Sequence, residues 1–104
     1  MKRINVLLAK ADGKLESVYI DATVDEIRKL LGGPIDTVTL FTDCLTYIRR
    51  QDADLCQNPF MNGIYGDILF AGGKGSYLTD LPYSKKSMLI TSLRNGRSVN
   101  GGSK

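Results

Sequence analysis

The chain has 104 residues, of which 42% are apolar and 24% charged, with a net charge of +3 and no histidine. That length suits one domain, which on folding hides roughly 60 to 68 per cent of its unfolded surface, and the composition excludes global disorder. Without histidine there is no Ser-His-Asp or Cys-His catalysis, and Cys44 and Cys56 alone cannot make a structural zinc site. The sequence implies no cofactor.

No apolar run approaches the roughly 20 residues of a membrane span, and the opening MKRINVLLAK has too short an apolar core for export. The expected location is the cytoplasm. The charge is uneven along the chain: residues 1–54 hold 8 basic and 9 acidic side chains, residues 55–104 hold 6 and 2. A positive surplus of this size suits a small anion, whereas duplex DNA would call for a larger basic face.

In chain order, Ile4 to Leu8 and Leu15 to Ile20 read as two strands joined by the turn chemistry of Asp12-Gly13. Thr23 to Glu26 has the form of a capping box, in which the Thr23 hydroxyl and the Glu26 carboxylate each satisfy a free N–H at a helix start. Val24, Ile27, Leu30 and Leu31 then recur at helical spacing, and Gly32-Gly33-Pro34 ends the helix. Ile35 to Phe41 and Leu45 to Arg49 read as a further strand pair across Thr42 to Cys44.

Residues 55–65 have no period and carry the turn pairs Asn58-Pro59 and Asn62-Gly63. Asp67 to Ala71 is a nearly all-apolar strand and so a central one, and Tyr77 to Asp80 reads as an edge strand. Ser84 to Leu93 reads as a second helix, with Met88, Leu89 and Leu93 on one face and Asn95-Gly96 as its stop. The expected fold is α+β: a small, mainly antiparallel sheet of about five strands, one helix after the first hairpin and a second near the C-terminus. Residues 1–95 form the domain, and residues 96–104 read as a disordered tail.

The candidate ligand site is the stretch Asn58 to Ser76, where Asn58, Asn62, Tyr65, Asp67, Lys74 and Ser76 lie between glycine-rich loops, with Tyr77 next in line. Gly72 to Ser76 can form an anion nest with Lys74 as its cation, but it lacks the spacing and the following helix of a P-loop. The competing reading is a hairpin tip. Asp67 opens an apolar strand, where its oxygens can tie backbone N–H groups of the preceding loop. Arg49 and Arg50 offer bidentate donors to phosphate or carboxylate, and Tyr65 and Tyr77 offer rings to a base. Lys85-Lys86 opens a helix against its dipole, a weak hint of an acidic partner.

Taken with the order of elements, the pieces VDEIRKLLGG, the loop at Asn58 and YGDILFAGG resemble domain-of-unknown-function family 3846 of bacteriophages, plasmids and Gram-positive gut bacteria. The matching positions are Gly32, Gly33, Asn58, Gly66, Asp67, Ile68 and Gly72, and the resemblance spans roughly residues 4–93. It implies a mobile-element setting, in which small non-enzymatic proteins often block host defence. The expectation is a phage-type binding protein that sequesters a small anionic nucleotide-type signal, such as a cyclic nucleotide or an ADP-ribose derivative, as a homo-oligomer. The alternatives are a protein-protein inhibitor or adaptor acting on a host enzyme and, last, a nucleotide-cleaving enzyme.

Overall fold

The nearly unbroken apolar runs of the central strands decide the architecture, because successive side chains point to opposite faces and both faces of the sheet then need cover. The computed structural model describes residues 3–38, 44–51, 54–74 and 77–102, with side chains described as far as Arg94 except those of Lys74 and Tyr77. Its elements are β1 (Arg3–Ala9), β2 (Leu15–Asp21), α1 (Val24–Leu31), β3 (Ile35–Val38), β4 (Leu45–Arg49), β5 (Ile68–Lys74), β6 (Tyr77–Thr79) and α2 (Tyr83–Gly102). All strand pairings are antiparallel, in the order β2-β1-β5-β4-β3, and β6 folds back on the end of β5. This is the expected α+β domain, with β5 in the middle of the sheet.

On one face Ile4, Val6, Leu8, Ile20, Tyr47, Leu69 and Ala71 meet Ile27 and Leu31 of α1. On the other, Leu7, Ala9, Ile48, Ile68 and Phe70 meet Leu89 and Leu93 of α2 together with Phe60 from the loop before β5. The layers are therefore helix, sheet, and helix plus loop. Among the described residues no helix is long and apolar enough to cross a membrane.

Local chemistry explains the ends of α1. The Thr23 hydroxyl accepts the Glu26 N–H at 3.2 Å, while the Thr23 N–H goes to the Asp21 carbonyl at 2.7 Å. Only half of the capping box forms, because the turn from β2 already satisfies the group that Glu26 was expected to serve. At the other end Gly32 takes a left-handed conformation, φ 93°, and both the Gly32 and Gly33 N–H groups donate to the Arg28 carbonyl at 2.9 Å.

Apart from one-residue differences at the ends of β1, β2, β6 and α2, three features differ from the sequence reading. β5 begins at Ile68 and runs on through Gly72 and Gly73 to Lys74, since β6 supplies it with a partner. In α2, Met88 is 66% exposed while Leu89 and Leu93 are buried, so the apolar face turns away from Met88. The helical backbone of α2 also passes Asn95-Gly96 and reaches Gly102. Glycine is a weak helix breaker, costing about 1 kcal/mol, and the stretch holds no proline. Residues 39–41 of the expected third strand, and the turn residues Thr42 and Asp43 after it, lie outside the described residues.

Candidate functional site

Asn58 is 1% exposed, and its amide is spent inside the protein. Its Nδ2 donates to the carbonyls of Ala9 and Gly66, both at 2.9 Å, and its Oδ1 accepts the Phe60 N–H at 2.9 Å. The side chain pins the loop to the end of β1 and so holds Phe60 in the core on the α2 face. Asp67 also binds within the fold: its Oδ1 accepts the Ala11 N–H at 2.8 Å, tying the β1–β2 turn rather than the loop before it. Asn62 is exposed and accepts from Gln57 Nε2 at 2.8 Å.

Tyr65 stands differently. Its backbone is gripped by Gln51, whose Oε1 accepts the Tyr65 N–H at 2.9 Å and whose Nε2 donates to the Tyr65 and Arg49 carbonyls at 3.0 and 2.5 Å. The residue is 42% exposed, on a backbone held by two hydrogen bonds. Its neighbour Gly66 faces the Cβ of Arg49, so the end of β4 and the Tyr65 loop adjoin.

Arg49 then reaches the other way, to the cap of α1. Its guanidinium lies against Gly33 so closely that a Cβ there would come within 2.8 Å of Arg49 Cζ. Beside it is an open concavity of about 620 Å³ lined by Arg28, Lys29, Gly32, Gly33 and Pro34. Of the four cations at this end, Arg28 pairs with Asp25 at 2.5 Å and Arg50 with Asp36 at 3.6 Å. Arg49 and Lys29 form no ion pair with any described residue. The Gly32 and Gly33 N–H groups are consumed by the Arg28 carbonyl, so an anion here would be held by side-chain cations and not by a backbone nest.

The remaining expected residues lie elsewhere. β5 pairs with β4 so that Ile68 faces Ile48 and Ala71 faces Leu45, which puts Lys74 at the opposite end of the strand from Arg49, roughly 20 Å away at strand rise. Lys74 and Tyr77 face each other at the mouth of the β5–β6 hairpin, and Ser76 lies outside the described residues. Asn58 to Tyr77 is thus two places. Arg49, Arg50, Asn62, Tyr65 and the inward-turned Asn58 and Asp67 share one end of the sheet, and the glycine loop is at the other. The basic cluster comes from the first half of the chain, not from the glycine-rich half with its charge surplus. Gly33, Lys29 and Gln51 were not among the expected ligand residues: Gly-Gly-Pro signals a helix end, and nothing local says that Arg49 will lie on it.

No protein-family model, curated protein or solved structure matches this chain. The class that can be stated is structural: an antiparallel sheet between helical layers, with a basic concavity where α1 ends beside β4.

Proposed function

We propose that the protein is a non-enzymatic binding protein whose ligand is a small anion of nucleotide type, held at the concavity between the α1 cap and the end of β4. The observation that carries this reading is Arg49: a guanidinium laid along Gly33 with no carboxylate partner among the described residues, beside Lys29 and an open depression. A planar fork of this kind suits a phosphate, and Lys29 adds a second positive charge. Tyr65, on its clamped backbone next to Arg49, supplies ring area for a base. In the mobile-element setting that the resemblance to family 3846 implies, holding such a ligand would keep an immune signal from its receptor.

The test is titration calorimetry with cyclic dinucleotides, ADP-ribose derivatives and inorganic pyrophosphate against the wild type and Arg49→Ala. Binding that weakens at least about tenfold in Arg49→Ala is the expected result, since losing a charge-assisted bidentate contact costs roughly 1.5 to 3 kcal/mol. No heat and no thermal shift with any of these compounds would remove the reading. A second reading, an inhibitor or adaptor on a host protein, is favoured by Tyr83 and Met88, 83% and 66% exposed on α2. It predicts that Met88→Asp, and not Arg49→Ala, abolishes function.

A further inference from the structure

The outer edge of the sheet at β2 is the feature that the ligand reading leaves unused. The direction of its backbone groups follows from β1. The Asn5 N–H donates to Asp80 Oδ1 at 2.7 Å and the Asn5 carbonyl accepts the Leu81 N–H at 2.9 Å, so the main chain of Asn5 is turned away from β2. Asn5 is opposite Tyr19, and in an antiparallel pair two opposite residues exchange both bonds or neither. Tyr19 therefore turns its N–H and C=O outward. By the two-residue repeat Ser17 and Asp21, opposite Leu7 and Arg3, do the same. Among the described residues none of these three N–H groups has an acceptor.

Edges of this kind are normally blunted by proline, a bulge, short length or charged side chains. β2 has seven residues, no proline and an unbroken register from Arg3↔Asp21 to Ala9↔Leu15, and its two charges, Glu16 and Asp21, flank an uncharged centre from Ser17 to Ile20. The opposite edge, β3, has four described residues. Tyr19 is 66% exposed in the middle of β2, a large ring beside a row of unpaired donors.

We infer that β2 is the homodimer edge of this protein, pairing antiparallel with β2 of a second copy about a twofold axis at Tyr19. Tyr19 exchanges both backbone bonds with the partner's Tyr19, and Ser17 exchanges with the partner's Asp21. The Tyr19 carbonyl already accepts from Arg3 at 3.0 Å and the Asp21 carbonyl from Thr23, but a carbonyl oxygen has two lone pairs.

Side chains argue for a second copy over an unrelated strand. Opposite residues in an antiparallel pair share a face, so this register sets Tyr19 against the partner's Tyr19 and Val18 against the partner's Ile20. Charge is complementary in the same register. Lys86 of α2 reaches β2 from that face, donating to Ser17 Oγ at 2.9 Å and to Asn5 Oδ1, and it makes no ion pair with a described residue. With Ser17 opposite the partner's Asp21, the partner's carboxylate, which within its own chain lies 3.9 Å from an Arg3 guanidinium nitrogen, comes to Lys86 as a second cation. The twofold axis repeats the contact.

The experiment is light scattering and native mass spectrometry of the full chain over a range of concentrations, with amide hydrogen exchange. A dimer is expected, in which the Ser17, Tyr19 and Asp21 amides exchange slowly; on dilution to monomer they become fast, while Val18, paired to β1 in either state, stays slow. Tyr19→Lys sets two like charges face to face and should raise the dimer dissociation constant at least about tenfold with an unchanged circular dichroism spectrum. Asp21→Lys should weaken the dimer, and Lys86→Asp added to it should restore it. A protein that stays monomeric at several hundred micromolar, or a dimer unaffected by Tyr19→Lys, overturns the proposal. Protection of these amides only when another protein is added would assign the edge to that protein, and also overturn it.

Discussion

At the scale of single residues, Asn58 and Tyr47 show how buried polar groups are used. Asn58 makes three side-chain hydrogen bonds, all internal, so Asn58→Ala takes a donor from two buried carbonyls and the acceptor from the Phe60 N–H. An unsatisfied buried group costs about 1 to 3 kcal/mol, and with partial relaxation the expected loss is about 3 kcal/mol, read as a lower urea midpoint. Asn58→Asp should fare no better, because a carboxylate cannot donate to Ala9 and Gly66. Tyr47 is 4% exposed in the core beneath α1, and burial raises its phenol above the ordinary 10.0 by disfavouring the anion. The neutral form belongs to the fold, so this contribution to stability is full below the unfolded value of about 10 and is lost as pH rises through the folded value. Tyr47→Phe removes the titration. The fall in urea midpoint between pH 9 and pH 11 should therefore be shallower in Tyr47→Phe than in the wild type, and an equal fall in both proteins would refute the assignment.

At the scale of elements, what the sequence disclosed depended on whether the cause was local. Thr23 and Gly32 act within a turn of α1, and both ends of that helix are legible for this reason. The β1–β2 hairpin is legible through Asp12-Gly13 in the same way. Arg49 against Gly33, and Gln51 against Tyr65, join different elements, and no pattern in either segment announces the other. The glycines of β5 belong to the same case. From the sequence they read as a loop, with a hairpin tip set against an anion nest, whereas Gly72 and Gly73 are strand residues and a Cβ at Gly72 would run into the Asp80 carbonyl oxygen, where β6 returns alongside β5. Backbone cannot yield as a flexible side chain can. Gly72→Ala should cost about 2 to 3 kcal/mol, in the range of core overpacking, and should speed exchange of the Leu81 amide, which bonds the Asn5 carbonyl just beyond that hairpin. An unchanged urea midpoint would show that the close approach is not needed. Gly33→Ala differs in kind: its new Cβ meets the movable guanidinium of Arg49, but Gly33 sits at φ 156°, where an L side chain is strained, so both anion binding and stability should suffer.

At the scale of the whole molecule, the sheet serves two cores at once. Leu7 and Leu8 are neighbours in β1, yet Leu8 packs toward α1 and Leu7 toward α2, and β4 and β5 divide their side chains in the same manner. Neither helix can come away without baring one face of strands whose other face the second helix covers. The domain should therefore unfold in one transition, although its two apolar clusters never mix side chains across the sheet. That separation gives a quantitative test. Ile27 lies in the α1 cluster at 0% exposure and Leu93 in the α2 cluster at 1%, with a layer of strands between them. Ile27→Val should cost about 1 kcal/mol and Leu93→Ala about 2 to 4 kcal/mol, the usual values for removing buried methyl groups. Because the two sites share no partner, the double variant should lose the sum to within about 0.5 kcal/mol, with fluorescence and circular dichroism tracing one urea transition. A second transition would mean that one helical layer detaches alone. A double loss well below the sum would mean that the sheet transmits repacking from one face to the other, and the two clusters would then have to be treated as a single core.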